Sequence, residues 1–561
     1  MGAEDRKIRT LVEMIESGTL RLPEMQREYV WTAAKVRDLF DSLYRGYPSG
    51  VILAWEPSEV EEAEVKTRDF AVQAGASSRR SLLLLDGQQR LTSLSAVLRG
   101  EPVQVKWRKR PIELLFNLDH PHELMSVMET DSEDAVDESE LSLADKLRRR
   151  AFVVGTKQIA AQQQWVRVSD IFHTEAFDIL ESKGFDISAM DRELRRKYTS
   201  RLAAVKAIED YSYRVDILEK EKSYEEVTEI FVRVNSLGAR LRSSDLALAQ
   251  ITAVWRGSLA IFTEYERQTI DRGFAVDLGN VLRVLVALMT DQPRFSRLGS
   301  PVQSSLEASW KRTMKAIDFA HNFLVNDLGI ESPTVLTSRF LMVTTAYWGD
   351  QRDFQIDNDE KETFKHWALI ANAKGRYSRG SSETLLDQDL SELRGGGGVA
   401  GLMQRLTAQV GRLDFTVQEL EGRSPQSGAY KTFLLALRDA NALDWDTKLL
   451  VSTKHQGEAD VVEYHHIFPQ AYLKEFRTDL PASSINDMAN MAIIGGSTNR
   501  RISKTGPSTY RDWFDADVLT KHLVDFSDGL DRPEHYEDFI QRRRAAMVEM
   551  LNRFLGVGVS E

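Results

Sequence analysis

One segment in the last quarter of the chain constrains the fold most. Residues 461–464 are predicted to form a short strand, which delivers His465 and His466 onto the turn that follows. Residues 491–494 are predicted to form a second strand that returns beside the first, and the polar, basic stretch that opens at Asn499 can start a helix. The segment therefore predicts a ββα unit that brings two histidines and an asparagine together.

The residue types in this unit match the needs of phosphodiester hydrolysis, which requires an activated water and a metal ion on the scissile phosphate. We assign His466 as the general base, because the ordinary pKa of histidine, about 6.5, lies near working pH. His465 and Asn499 are assigned as metal ligands, and Asn490 as the residue that braces the loop carrying the base. The chain has no cysteine, so Mg²⁺ or Mn²⁺ is expected rather than a thiolate-bound zinc.

The net charge of −12 does not decide whether the chain binds nucleic acid. Only the contacting surface must be positive, and a basic cluster stands beside the predicted site. Its members, Arg500, Arg501 and Lys504, are predicted to contact DNA.

A second group of polar residues lies in the first half of the chain. Residues 81–85 are predicted to form an apolar strand, and Leu91, Leu94 and Leu98 recur at helical spacing. The sequence DGQQR, residues 86–90, therefore falls in the turn between them. There, backbone amides at a helix N-terminus can face an anion.

Arginines with amide neighbours occur in three polar turns, and such groups can bind phosphates. Asp86 can hold a Mg²⁺ ion or position a water molecule. No Walker A pattern is present, which excludes a P-loop NTPase. These residues also fit a second interpretation, in which Asp86 and Arg90 form a structural pair that closes the turn. The three groups are Gln26 with Arg27, Gln89 with Arg90, and Arg233 with Asn235.

The whole chain is predicted to be α+β and largely helical. We expect an N-terminal domain over 1–254, a helical connecting region over 255–394, and a nuclease domain with flanking helices over 399–561. The four glycines at 395–398 are predicted to form a linker or a flexible loop. No secretory signal is visible, and the apolar stretches are shorter than the ~20 residues of a membrane helix. A cytoplasmic protein without a membrane partner is expected.

Taken together, these motifs resemble the GmrSD-type restriction enzymes, which join a ParB-like domain to an HNH nuclease domain. The resemblance runs in order from about residue 22 to residue 510. Its segments are LPEMQREYVW, YPSGVILAWE, LLDGQQRLTSL and FVRVNSLGARLRSSDL in the N-terminal half, then GRYSRGSSETLLDQDL, YHHIFPQAYL and NRRISKTGPSTY in the C-terminal half.

The resemblance implies a ParB-like α/β domain, a helical middle and a C-terminal ββα-metal (HNH) domain. It also implies a prokaryotic defence enzyme that restricts modified, often phage, DNA. In such enzymes the ParB-like domain binds and hydrolyses a nucleoside triphosphate, GTP or another. The nucleotide-binding residues implied here are Gln26, Arg27, Asp86, Gln88, Gln89, Arg90, Arg233 and Asn235, with Asp86 also catalytic.

Two other functions stay open at this point. One is a nucleotide-switched DNA-binding regulatory protein with a degenerate nuclease half, and the other is an RNA-directed HNH nuclease. Because an HNH site holds one metal centre, double-strand cleavage requires two copies of the chain or two successive nicks. A homodimer is therefore one of two routes to a double-strand break.

Overall fold

The computed structural model describes residues 2–24, 29, 31–58, 67–68, 81–101, 103, 105, 111–121, 149–237, 243–299, 301–453 and 461–558. The chain is 59% helical with small mixed sheets, so the predicted α+β, largely helical class is confirmed. It divides into two compact units, Met1–Leu259 and Ala260–Glu561. The finer three-part division expected from the sequence stays a prediction. In the described part of the chain, no helix combines the length and the apolar character needed to cross a membrane.

The strands of the described residues form three sheets. In chain order they are β1 (Gly2–Lys7), β2 (Leu20–Pro23), β3 (Ile52–Trp55), β4 (Thr67–Arg68), β5 (Leu82–Asp86), β6 (Leu114–Asn117), β7 (Phe152–Val154), β8 (Trp165–Arg167), β9 (Ser212–Leu218), β10 (Val462–His466) and β11 (Met491–Gly495).

The largest sheet lies in the first unit and has the strand order β1-β9-β3-β5-β2-β4. It is mixed, because β3 pairs in parallel with β9 and antiparallel with β5, while β2 pairs in parallel with β5. A second sheet has the order β7-β6-β8, and both of its pairings are antiparallel. Strands β10 and β11 form an antiparallel pair in the second unit.

Helices of the first unit cover the sheets. They are α1 (Ile8–Glu16), α2 (Ala33–Tyr44), α3 (Gln88–Leu98), α4 (Lys157–Ala160), α5 (Val168–His173), α6 (Ala176–Ser182), α7 (Arg192–Lys206), α8 (Tyr224–Leu237) and α9 (Ser243–Val254), and α10 (Ser258–Asp271) begins just before the boundary between the units.

The second unit is built mainly from helices. They are α11 (Leu278–Thr290), α12 (Gln303–Asn322), α13 (Phe340–Gln351), α14 (Asn358–Lys374), α15 (Ser382–Gly395), α16 (Gly398–Val410), α17 (Val417–Leu420), α18 (Gly428–Asp439), α19 (Gln470–Phe476), α20 (Ala482–Ile485), α21 (Gly496–Ile502), α22 (Pro507–Tyr510), α23 (Ala516–Lys521) and α24 (Tyr536–Leu555).

Helix α2 illustrates how the local sequence determines the extent of an element in the first unit. Helix α2 buries Val36, Leu39, Phe40 and Leu43 at helical spacing and ends before Gly46, as the pattern predicts. Each apolar side chain buried in this way contributes roughly 1.5–3 kcal/mol. The core formed by these residues supports β5, the strand that carries the DGQQR turn.

The prediction of a linker or flexible loop at the four glycines is wrong. Helix α15 continues to Gly395 and α16 begins at Gly398, so the glycines form a tight turn between two helices of one unit. Gly396 has a φ of +91°, which favours glycine, and a Cβ at Gly397 would collide with the Glu392 carboxylate. Glycine is needed here for backbone conformation and close approach rather than for flexibility.

Candidate functional site

The predicted ββα unit is present in the second unit of the chain, but β10 extends to His466, so both histidines lie at the end of the strand and not on the turn after it. Strands β10 and β11 pair with His465 opposite Ala492 and His466 opposite Met491, and α21 follows β11 directly. Helix α21 begins at Gly496, three residues earlier than the start expected at Asn499. Asn499 therefore lies in the middle of a formed helix, which gives its side chain a defined direction.

Asp444 explains the earlier start of this helix. Its buried carboxylate accepts hydrogen bonds from the Gly495 amide at 2.6 Å and from Thr498 Oγ1 at 2.6 Å. Burial alone would raise the pKa of Asp444, but the hydrogen bonds from Thr498, Gly495 and Thr447 together lower it. An ionised carboxylate at a helix N-terminus also matches the helix dipole. Asp444 was missed in the sequence because it lies far from the motif along the chain.

His465 and Asn499 are brought into direct contact. His465 Nδ1 lies 2.7 Å from Asn499 Oδ1, and the Asn499 amide nitrogen donates to Glu463 Oε2 at 2.6 Å. The carboxylate of Glu463 therefore fixes the orientation of the amide, with the oxygen facing the histidine. The sequence analysis did not single out Glu463, although it stands on the same strand two residues before His465.

The surroundings of His465 keep its imidazole neutral. The residue is 3% exposed, and its ring packs near the rings of Trp445 and Tyr510. Burial lowers the pKa of His465 to about 4, and the neighbouring His466 contributes in the same direction, against the hydrogen bond to Asn499. A neutral imidazole is the form that can bind a metal ion through a ring nitrogen.

Two residues could hold one divalent cation: His465 and Asn499 both line one cleft, and their Nδ1 and Oδ1 atoms lie 2.7 Å apart. Among the residues that the structure describes, no group of three or more His, Asp or Glu side chains could hold a metal ion. Two protein ligands fit Mg²⁺ in particular, because that ion usually keeps several of its water ligands.

His466 is held in one orientation by an amide pair. Its Nε2 lies 2.9 Å from Asn486 Oδ1, and the same oxygen accepts a hydrogen bond from Gln470 Nε2 at 3.0 Å. Because Asn486 Oδ1 can only accept, His466 Nε2 carries the proton and Nδ1 keeps its lone pair. This is the tautomer that a general base requires at Nδ1. Gln470 lies in the YHHIFPQAYL segment but was given no role in the sequence analysis, and Asn486 lies outside the segments that carry the resemblance.

Asn490 is completely buried and bonds to the loop that follows His466. Its Oδ1 accepts from the Phe468 amide at 2.9 Å, and its Nδ2 donates to the carbonyls of Phe468 and Ile485 at 3.2 and 2.9 Å. The Ile467 amide donates to the Asn490 carbonyl at 2.8 Å. These contacts join the loop after the base to the end of α20, which suits the bracing position expected for Asn490.

His465, His466 and Asn499 line a cleft of about 350 Å³. Of the three predicted DNA contacts, Lys504 lines the cleft, whereas Arg500 and Arg501 do not. Arg501 pairs with Asp446 at the surface and lies over the Trp513 ring. The complete lining is Tyr464, His465, His466, Pro469, Gln470, Ala471, Asn499, Ser503 and Lys504.

The DGQQR turn has the predicted strand-to-helix context. Asp86 ends β5, Gly87 has a φ of +100° and is the N-cap of α3, and α3 begins at Gln88. Gln88 is buried. The Asp86 carboxylate is 44% exposed, so a ligand in solution can reach it.

Arg90 has structural partners within the first unit. Its guanidinium donates to the carbonyls of Ser49 and Val51 and pairs with Asp86 at 3.1 Å. A Cβ at Gly50 would collide with this guanidinium. The structure therefore contains the Asp86–Arg90 pair that the second interpretation expected, and Arg90 ties the turn to the residues before β3.

The structure gives fewer contacts for the other residues predicted to bind nucleotide. Gln89 Oε1 accepts a hydrogen bond from the Trp31 amide at 3.1 Å. Arg233 is 73% exposed on α8 and pairs with Glu229 of the same helix. Gln26, Arg27 and the side chain of Asn235 lie outside the described residues.

Comparison with known proteins identifies the class and then the family. The model of the GmrSD restriction endonuclease N-terminal domain matches residues 8–252, and that of the C-terminal domain matches residues 410–550. These matches support a nuclease of the restriction class that acts on modified DNA. The chain belongs to the GmrSD restriction endonuclease family, which confirms the resemblance of the motifs.

A relative of similar length is an uncharacterized protein of Methanocaldococcus jannaschii. It is 22% identical to this chain over 544 residues, which cover 90% of this chain and 86% of the relative. The similarity therefore extends over both compact units.

Proposed function

We propose that this chain is an HNH-type, metal-dependent endonuclease for modified DNA, with His466 as its general base. The proposal rests on one cleft. His466 and Lys504 line it, and so do His465 and Asn499, whose side chains are in contact. A base, a pair of cation ligands and a positive charge for the phosphate are the groups that phosphodiester hydrolysis needs.

The side chains of the cleft have separate tasks in this mechanism. His466 Nδ1 accepts the proton of the attacking water, while Asn486 holds the Nε2 proton and keeps the ring from turning. His465 and Asn499 would hold Mg²⁺ or Mn²⁺, and the bound ion would polarise the scissile phosphate and stabilise the leaving oxygen. Lys504 binds a phosphate oxygen at the exposed side of the cleft. Asn490 and Asp444 hold the loop and the helix that carry these groups.

Nicking of supercoiled plasmid DNA tests the metal requirement. We expect cleavage with Mg²⁺ or Mn²⁺, complete loss in excess chelator, and recovery when the metal ion is restored. Asn499→Ala should need a higher metal concentration for half-maximal rate, because it removes one of two ligands. Cleavage that continues in chelator would contradict the proposed site.

An RNA substrate in the same assay tests the RNA-directed alternative, and preferential cleavage of RNA would favour it.

We further propose that the first unit binds and hydrolyses a nucleoside triphosphate, GTP or another, at the DGQQR turn. Support comes from the exposed Asp86 carboxylate, which stands directly before the N-terminus of α3, because backbone amides at a helix N-terminus can bind phosphate oxygens. Asp86 positions the attacking water or a Mg²⁺ ion in this arrangement. Arg90 acts through its contacts with Ser49 and Val51, by holding the turn in place.

Asp86→Asn provides a sharp test of this second proposal. The amide retains an acceptor for Arg90 but removes the charge, so we expect triphosphate hydrolysis to fall by at least about 100-fold while the fold is kept. Phosphate release from GTP and ATP measures the effect. His466→Ala is the matched control, since it lies in the other unit and should leave hydrolysis unchanged. Normal hydrolysis by Asp86→Asn would overturn the assignment.

A further inference from the structure

A second and larger cavity lies in the unit that carries the nuclease cleft. It has a volume of about 780 Å³ and is lined by residues 511, 512 and 514, by α23, by the segment 523–527 and by one face of α24. We propose that this cavity receives a base extruded from the bound DNA and thereby reads its modification. This inference rests on the proposed DNA endonuclease function, and it adds the site where the substrate is recognised.

The walls of the cavity suit a flat ring. Phe514, Phe526 and Phe539 line it together with aliphatic side chains. The rings of Phe526 and Phe539 lie 5.7 Å apart with an interplanar angle of 22°. Extruded bases are commonly bound by stacking on aromatic and apolar side chains. The volume lies within the range of sites for small-molecule ligands, so it leaves room for a base with a bulky substituent.

The charges at the rim favour a neutral ligand over a phosphate group. Arg511 pairs with Asp531 at 3.2 Å, and Arg542 pairs with Asp525 and Asp528 at 3.1 and 3.2 Å. A free triphosphate would need the positive charge of these arginines. The paired carboxylates offset that charge. Arginine donors beside carboxylate acceptors can instead form hydrogen bonds with the polar edge of a base.

Tyr510 connects the wall of this cavity to the catalytic cleft. Its ring centroid lies 6.2 Å from that of Phe514 and 6.3 Å from that of His465, so one buried ring separates the two sites. The Tyr510 hydroxyl donates to the carbonyl of Ile467 at 2.7 Å, directly after His466. A base extruded near the scissile phosphate therefore has a receiving site close to the cleft.

The cavity also contacts the support of the catalytic loop. Arg543 lines the cavity and donates to the carbonyls of Ala489 and Met491, on either side of Asn490. Asn490 in turn bonds to Phe468 in the loop that follows the base. Occupation of the cavity would thus act on the same backbone that holds His466 in position.

Filling the mouth of the cavity tests the proposal. Thr520 is exposed on α23 and lines the cavity, whereas Asp517 is exposed on the same helix but does not line it. Thr520→Trp should block entry, and Asp517→Trp is the matched control. The assay measures binding of the full chain to short fluorescent duplexes, with chelator present to prevent cleavage. It compares a perfect duplex with one that carries a single central mismatch.

A mismatched base costs less to extrude, so the wild type and Asp517→Trp should bind the mismatched duplex about fivefold more tightly or better. Thr520→Trp should lose this preference and keep the affinity for the perfect duplex. Equal binding of both duplexes by the wild type, or a preference that survives in Thr520→Trp, overturns the proposal. The nicking assay with metal ions reports separately on the proposed function, because the binding contrast does not require cleavage.

Discussion

Replacing His466 by alanine is expected to slow DNA cleavage by about 10²–10⁴-fold, the usual contribution of a general base. The variant keeps His465 and Asn499, so metal binding should persist while the attacking water loses its proton acceptor. Single-turnover nicking at saturating Mg²⁺ or Mn²⁺ measures the effect on the chemical step. A rate within a few-fold of the wild-type rate would refute the assignment of the base.

A matched control separates the loss of a base from the loss of any histidine. His535 is half-exposed at the surface, where it lies near Asp538, and His535→Ala should cleave DNA at the wild-type rate. His466→Ala should also retain the wild-type free energy of unfolding, because His466 is only partly buried. Loss of both stability and cleavage would point to unfolding instead of chemistry.

Asn490→Ala is expected to have the largest effect on stability. The change leaves the Phe468 amide and the carbonyls of Phe468 and Ile485 without their partner in the interior. At about 1–3 kcal/mol for each unsatisfied group, the free energy of unfolding should fall by about 3 kcal/mol or more. Chemical denaturation measures this loss, and cleavage should fall with it because the loop after His466 loses its support.

Asn499→Ala is the informative counterpart. Asn499 is half-buried at the cleft and bonds to His465 and Glu463. Its removal should impair cleavage while it changes the free energy of unfolding by only about 1 kcal/mol. If Asn490→Ala were as stable as Asn499→Ala, the bracing role given to Asn490 would be wrong.

The order of the ββα unit could be predicted because its signals are local. Two short apolar runs, the histidine pair between them and the polar stretch after them lie within one segment, so their periodicity predicted the elements directly. The contact between His465 and Asn499 follows from that order. The same reasoning placed DGQQR at the junction of β5 and α3, where only Gly87 lies between the two elements.

The supporting residues could not be found in the same way. Asp444 reaches α21 from far upstream, and Asn486 reaches His466 from across the intervening loop. Such contacts depend on the tertiary fold, and a single sequence contains no periodic signal for them. The prediction at the four glycines was wrong for a related reason, because the need for glycine at Gly397 comes from the neighbouring Glu392 carboxylate, which the sequence alone does not place there.

Arg90 shows how the fold changes the interpretation of a motif. In the sequence, a phosphate contact and a structural pair with Asp86 fitted this residue equally well. Its contacts with Ser49 and Val51 depend on the approach of the chain before β3, which the sequence does not encode locally. Asp86 and the amides of α3 consequently become the groups that we expect to face the nucleotide.

The most direct test of the account is cleavage of modified and unmodified phage DNA by the wild type and by His466→Ala. Both proteins would be incubated with Mg²⁺ or Mn²⁺, with and without each nucleoside triphosphate. The account predicts that the wild type cuts modified DNA in preference to unmodified DNA, and that His466→Ala cuts the modified DNA about 10²–10⁴-fold more slowly than the wild type. Equal cleavage by both proteins, or no cleavage of any DNA under all of these conditions, would contradict it.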